Sequence, residues 1–178
     1  MTRVFLALNL PLDIKQDIFA LYHEINTPKI KWTAFDNLHI TVKFIGGIEE
    51  GQLEKLQNFL KNNLKIPKIN LEIKNTIFFP EFSHPKIIAL QGIIASETKN
   101  KINAFLNLLQ QELKFIPKNN HPFTPHITIG RVKGYIDRSQ YEFKYENECS
   151  INNIDLMKST LTPTGPIYEI IKNYNLIS

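Results

Sequence analysis

The feature that most restricts what this chain can fold into is a stretch that occurs twice. Leu38-His39-Ile40-Thr41-Val42-Lys43-Phe44 returns in altered form as Pro125-His126-Ile127-Thr128-Ile129-Gly130-Arg131. Each copy reads His, β-branched apolar, Thr, β-branched apolar, and such residues favour a strand, where successive side chains point to opposite faces. His and Thr therefore share one face, about 6.6 Å apart at a rise of about 3.3 Å per residue, near enough for both to touch one small ligand. Ile40, Val42, Ile127 and Ile129 point the other way, into a core. With five His in the chain, fewer than one His-x-Thr match is expected by chance. One copy alone reads equally well as a half-buried strand histidine; two copies with the same interleaving point to a paired site.

The surrounding pattern alternates strands and helices. The apolar run Val4 to Leu8 is broken at once by Asn9 and Pro11, too soon for a signal or membrane segment, and reads as a first strand. Pro11 suits a first helical turn, and Ile14, Ile18, Leu21 and Ile25 recur at helical spacing, so a helix is predicted over 11–26. His23 falls near its end, in a capping or solvent-facing position. Ile30 to Thr33 is short and alternating and holds the only tryptophan; the first motif strand follows and is expected to end at Gly46-Gly47. A second helix is predicted over 49–63 on the stripe Leu53, Leu56, Phe59, Leu60 and Leu64. Ile69, Leu71 and Ile73 give a strand running toward Phe79; Pro80 to Pro85 form a loop, and Ile87 to Gln91 the next strand. Ser96 opens a third helix carrying Ile102, Phe105, Leu106, Leu109 and Leu113. Residues 117–125, with three prolines and Asn119-Asn120, form an irregular lead-in to the second motif, and His84 and His121 lie in loops as surface residues. Alternation predicts extended segments at Tyr141 to Glu146, at 151–158 and at 167–174, the last two parted by Thr162-Pro163-Thr164-Gly165-Pro166.

No linker divides the chain, and 178 residues suffice for one domain with its own core. The two motif histidines stand 126 − 39 = 87 residues apart, half the chain. The expectation is an α+β fold over residues 1–178 with two similar lobes. Each lobe gives one motif strand (39–42 and 126–129) to a shared cleft, with helices on the outer faces. A net charge of +4 and a pI near 9.1 suit an anionic partner without establishing one. Cys149 is the only cysteine, which excludes an intramolecular disulfide and a cysteine-rich zinc site and fits a reducing, cytoplasmic setting.

Histidine is the side chain that can take or give a proton near neutral pH, so two imidazoles across a cleft make an acid/base pair. Thr41 and Thr128 would offer hydroxyls to the non-bridging oxygens of an anion held between them. A phosphodiester suits this arrangement, because its cleavage needs one proton removed from the attacking oxygen and one given to the leaving oxygen. The sequence has no HExxH, P-loop or Asp-rich motif, and two histidines on separate strands offer too few ligands for a metal, so neither metal nor other cofactor is expected.

These residues resemble the 2H phosphoesterases, and within them the bacterial and archaeal RNA 2′,3′-cyclic phosphodiesterases of the LigT/ThpR type. The resemblance covers nearly the whole chain: both motifs, Arg3 to Leu8, Asn37-Leu38, Lys43-Phe44-Ile45-Gly46, Phe79-Pro80, Pro125, Arg131, Leu156 to Ser159 and Gly165 to Glu169. It implies two pseudo-symmetric lobes with antiparallel sheets around a central groove. It also implies hydrolysis of an RNA 2′,3′-cyclic phosphate to a 2′-phosphomonoester, with His39 as proton donor and His126 as acceptor. An ATP-independent 2′-5′ joining of RNA ends is associated with the family. The implied partner is RNA with such an end, with no membrane, no metal and a monomeric chain; an RNA-end binding module with little turnover is the alternative. Arg131 matches a phosphate-binding position, yet strict alternation puts it on the face opposite His126. Either Gly130 marks a bulge that re-aims it, or Arg131 is a surface cation. Lys43 falls on the His39 face by the same counting. The chain departs from the family over Ser83 to Leu90, where an arginine-rich segment is usual, and Phe5, Phe79 and Phe123 are the candidates to stack on a terminal base.

Overall fold

In the computed structural model, which describes residues 1–81, 84–118 and 121–177, the two motif strands lie side by side. The strands are β1 (Thr2–Asn9), β2 (Ile30–Trp32), β3 (His39–Ile48), β4 (Ile69–Phe79), β5 (Ile87–Ile93), β6 (His126–Val132), β7 (Asn147–Ile151), β8 (Asn153–Thr162) and β9 (Gly165–Asn175). Their order is β7-β4-β5-β6-β3-β1-β8-β9, antiparallel, with β2 added along β6. Four strands of that order lie on each side of the β6–β3 junction, where β3 and β6 pair through Ile40 and Ile127.

The repeat extends to the register. On β1, Ala7, Leu8 and Asn9 stand opposite Thr41, Ile40 and His39; on β5, Ala89, Leu90 and Gln91 stand opposite Thr128, Ile127 and His126. Both motif strands also bulge at the same point. Val42 has no partner between Leu6–Lys43 and Ala7–Thr41, and Ile129 has none between Ile88–Gly130 and Ala89–Thr128. A bulge sends two successive side chains to one face and bends the strand. Ile129 and Gly130 thus both turn toward the core, and a Cβ on Gly130 would lie 2.8 Å from Ile30 Cγ2 and 2.9 Å from Trp32 Cε3, closer than atoms can pack. The carbonyl of Ile129 accepts the Thr33 N–H at 2.9 Å.

The helices α1 (Leu12–Ala20), α2 (Glu50–Asn63) and α3 (Ser96–Glu112) cover the face opposite the motif His and Thr. Ile40, Ile127 and Ile129 are fully buried there with Ile14 and Ile18, Leu56 and Leu60, and Ile102, Leu106 and Leu109, the apolar stripes of the three helices. Each such side chain contributes about 1.5–3 kcal/mol on burial. Phe59 of α2 meets Phe105 of α3 with ring centroids 6.0 Å apart. Glu49 and Gln52 close a capping box at the start of α2.

Three expectations differ from what forms. The first helix ends at Ala20 rather than near 26, because Tyr22 is drawn under Trp32 (centroids 5.0 Å apart) and donates to the Thr33 carbonyl, 2.9 Å away. His23 faces the helix end, its Nδ1 3.2 Å from the Phe19 carbonyl. Gly46-Gly47 do not end β3, which runs to Ile48; Gly46 takes φ +93° within the strand. The alternation Tyr141 to Glu146 forms no strand: a 3₁₀ turn at Arg138–Tyr141 leads into segment 142–146, tied to β4 by side chains. Phe143 N–H donates to Thr76 Oγ1 and Tyr145 N–H to Asn75 Oδ1, beside a bulge in β4 between Lys74 and Thr76. Expectations for Ser83 and for Asn119-Asn120 lie outside the described residues.

Candidate active site

The free face of the sheet forms a cleft of about 1560 Å³ that both motifs line: His39, Thr41, His126, Thr128 and Arg131 all open onto it. The Ile40–Ile127 pair dictates how they meet. Continuing that antiparallel register, His39 falls opposite Thr128 and His126 opposite Thr41, so the histidines are diagonal neighbours. In a regular antiparallel pair such neighbours lie about 7–8 Å apart, a span that admits one tetrahedral centre between the rings. The cleft is therefore built on adjacent strands of one sheet, its two halves joined at this junction and by β2 running along β6.

Backbone carbonyls set both tautomers. His39 Nδ1 lies 2.7 Å from the Asn37 carbonyl and His126 Nδ1 2.8 Å from the Thr124 carbonyl. A carbonyl only accepts, so Nδ1 carries hydrogen in each ring and Nε2 is left to exchange protons. His39 Nε2 lies 3.0 Å from Thr41 Oγ1. The motif's preceding residues thus work as orienters: the turn Phe35–Asn37 supplies one carbonyl and the lead-in to β6 the other.

The surroundings of the two rings differ. His39 is packed between Phe5 (centroids 5.2 Å apart) and the edge of Tyr168 (5.3 Å). Burial pushes its pKa down to about 4; the Asn37 carbonyl raises it, and the charges of Lys15 and His126 lower it further. Asn9, its partner on β1, donates to Asp155 at 2.5 Å, and that buried carboxylate also takes the amides of Asn153 and Asn173. His126 has Phe79 alongside at 5.0 Å and the exposed Gln91 as its partner.

The bulge at Ile129 settles where Arg131 points. With two residues turned to the core, Arg131 returns to the cleft, opposite Ile87 and Lys31, which also line it. The same bulge in β3 corrects the counting for Lys43. Its side chain leaves on the side of Leu6 rather than with His39, is 4% exposed, and hydrogen-bonds the Pro117 carbonyl at the cleft rim. Of the three expected stacking rings, Phe5 is buried away from the cleft lining, Phe123 is buried at its wall, and Phe79 is half-buried beside His126. Tyr168 and the 59% exposed Phe44 line the cleft and carried no signal as site residues in the sequence. His121, expected as a surface residue, is exposed and borders the cleft; His84 is exposed against Tyr135. Among the described residues, no group of three or more His, Cys, Asp or Glu converges to hold a metal ion. None of the helices is long and apolar enough to cross a membrane.

Two His-x-Thr strands joined about a pseudo-two-fold in one antiparallel sheet define a two-histidine phosphoesterase. The chain belongs to the LigT-like phosphoesterase family, whose model it matches over residues 8–89 and 93–168. It is 34% identical, over 97% of its own length and 99% of the relative's, to a Methanocaldococcus jannaschii protein named RNA 2′,3′-cyclic phosphodiesterase. Its fold is that of a Thermus thermophilus crystal structure (TM-score 0.82, 24% identity, 98% and 97% of the two chains covered). It also matches E. coli LigT crystallised with 3′-AMP (TM-score 0.77, 20% identity, 99% of each chain).

Proposed function

We propose that this protein opens the 2′,3′-cyclic phosphate at the end of an RNA and leaves a 2′-phosphomonoester. The observation that carries the reading is the pseudo-two-fold about Ile40–Ile127, which sets two imidazoles of like tautomer on either side of a place for one phosphorus atom. The namesake activity of the Methanocaldococcus relative supports the substrate class.

In this mechanism Nε2 of His126 takes a proton from water as its oxygen bonds to phosphorus, the P–O3′ bond breaks in line, and Nε2 of His39 gives the proton that O3′ needs. Thr41 and Thr128 donate to the non-bridging oxygens, and the Arg131 guanidinium holds their growing charge. Because burial keeps His39 neutral in the free protein, it takes the proton it delivers from solvent as substrate binds: the cyclic phosphate monoanion replaces lost solvation and favours the imidazolium. No metal takes part, the chain works as a monomer, and the cytoplasm is its setting. The same rings with roles exchanged would join a cyclic phosphate end to a free hydroxyl, without ATP.

A second reading exchanges the roles in hydrolysis too, and the depressed pKa of His39 favours it, since a base must be neutral. NMR titration of both imidazoles with a bound product nucleotide separates the two: the donor is the ring whose pKa climbs toward neutrality. The activity itself is tested by incubating the protein with an oligoribonucleotide ending in 2′,3′-cyclic phosphate, with and without chelator. A 2′-monoester, lost in His39→Ala and His126→Ala, supports the proposal; a 3′-monoester, or binding with no product, overturns it in favour of another chemistry or of an end-binding module.

A further inference from the structure

Beyond the two motifs, one mouth of the cleft gathers cations that make no ion pair with a carboxylate among the described residues. Where β2 runs along β6, Lys31 stands directly opposite Arg131, and the pairing continues as the Lys133 N–H donates to the Lys29 carbonyl. Between these pairs, Ile30 and Val132 pack on the core side. Lys31 and Arg131 line the cleft, and Lys29 and Lys133, one residue beyond the ends of β2 and β6, form a second like-charged pair beside them where the backbone pairing continues. Like charges directly opposite each other are destabilising. All four are exposed, and among the described residues none forms an ion pair with a carboxylate. The whole chain has an excess of only four positive charges, so this concentration is not a by-product of overall basicity.

The opposite mouth differs. Under the pseudo-two-fold, Phe44 stands in the place of Arg131 and Gly46 in the place of Lys133. Lys118 lies near Phe44, since its neighbour Pro117 accepts the Lys43 hydrogen bond, so what sets the β2–β6 mouth apart is the direct cross-strand pairing of its cations. We propose that Lys29, Lys31 and Lys133 extend from Arg131, which holds the reacting phosphate, as a ladder for the ribose-phosphate backbone of single-stranded RNA upstream of the reacting end. This inference rests on the activity proposed above and adds to it the means by which the protein prefers a polymer over a free nucleotide.

The test compares wild type with the double variant K29Q/K133Q, whose side chains lie outside the acid/base pair and the phosphate-binding groups. Two substrates are used, a short oligoribonucleotide with a 2′,3′-cyclic phosphate end and 2′,3′-cyclic AMP. For the oligonucleotide, KM should rise about tenfold at low salt, and the slope of log KM against log salt should flatten by about 1.4, two phosphate contacts at about 0.7 each. Cyclic AMP kinetics should be unchanged. A charge-matched control on α2, K55Q/K61Q, should leave both substrates unaffected. Equal KM and slope in K29Q/K133Q and wild type, equal losses on both substrates, or the same loss in the α2 control would each overturn the ladder. Fluorescence anisotropy with the 2′-phosphate-ended oligonucleotide reads the ladder directly. A wild type that binds this RNA more tightly than K29Q/K133Q but opens neither substrate would overturn the proposed activity and leave the ladder standing.

Discussion

Ile40 and Ile127, the residues that follow the two motif histidines, form the only pair joining β3 to β6. Each is fully buried beneath the cleft, so the contact that aligns the two halves and the contact that seals the core are the same. A change at either residue reaches the chemistry through the spacing of the rings above it, because close-packed interiors transmit small shifts.

Ile40→Ala and Ile127→Ala should each destabilise the protein by about 2–5 kcal/mol, the usual cost of removing most of a fully buried Ile. Urea unfolding reads this, and folded variant protein should also turn over more slowly. A substitution that costs full stability but leaves kcat untouched would detach the junction from catalysis.

His39→Ala and His126→Ala should each lower kcat by about 10²–10⁴-fold while leaving the circular dichroism spectrum unchanged, since general acid and general base each supply about that much. Single-turnover rates on a cyclic-phosphate oligonucleotide measure it. Full activity in either variant would remove the two-histidine mechanism.

Stability should fall with pH in a window that His39 defines. Its folded pKa of about 4 lies below the value near 6.5 of an unfolded histidine. The unfolded chain therefore binds more protons between those values. The penalty is absent above about pH 6.5, grows as pH falls, and levels off near pH 4, at up to about 3 kcal/mol. His39→Gln should flatten that part of the profile in denaturant titrations across pH; an unchanged slope would show that the ring is not held neutral by burial.

Gly130→Ala should cost about 1–3 kcal/mol by overpacking, because the added Cβ meets Ile30 and Trp32 at under 3 Å. Relief of that clash must shift β6 at its bulge, so KM should rise through the displacement of Arg131. Thermal unfolding and steady-state kinetics together check the coupling. Loss of stability with unaltered KM would leave Arg131 without a role in binding.

Replacing Arg131 itself by Gln should raise KM about 10–100-fold with a smaller effect on kcat, and Lys should restore only part of it, since an ammonium lacks the planar fork that grips two oxygens at once. Equal kinetics for the Lys variant and wild type would reduce Arg131 to a point charge.

Much of this architecture was legible in residue patterns. Period-two alternation placed Ile69, Leu71 and Ile73 on a buried strand face, and the stripes of Leu56, Leu60, Leu106 and Leu109 marked the helices, because those periods are properties of a single segment. The duplicated His-x-Thr likewise singled out two rings and two hydroxyls that line one cleft, since each motif is complete within four residues. Where alternation failed, at Tyr141 to Glu146, the neighbour β4 bulges: one backbone bond forms, Thr76 N–H to the Phe143 carbonyl, while the Asn75 and Thr76 side chains take the N–H groups of Tyr145 and Phe143.

The amino-acid order alone thus determined which residues form the core, which face each motif presents, and that the chain is a repeat. Only the tertiary structure decided that the two motif strands are neighbours, that His39 is the more enclosed ring, that Arg131 enters the cleft while Lys43 is buried against its rim, and that Lys31 pairs with Arg131 across β2 and β6. The physical reason is that bulges, cross-strand pairs and burial belong to the relation between segments. Val42 and Ile129 look like ordinary strand residues until Leu6, Ala7, Ile88 and Ala89 are laid beside them.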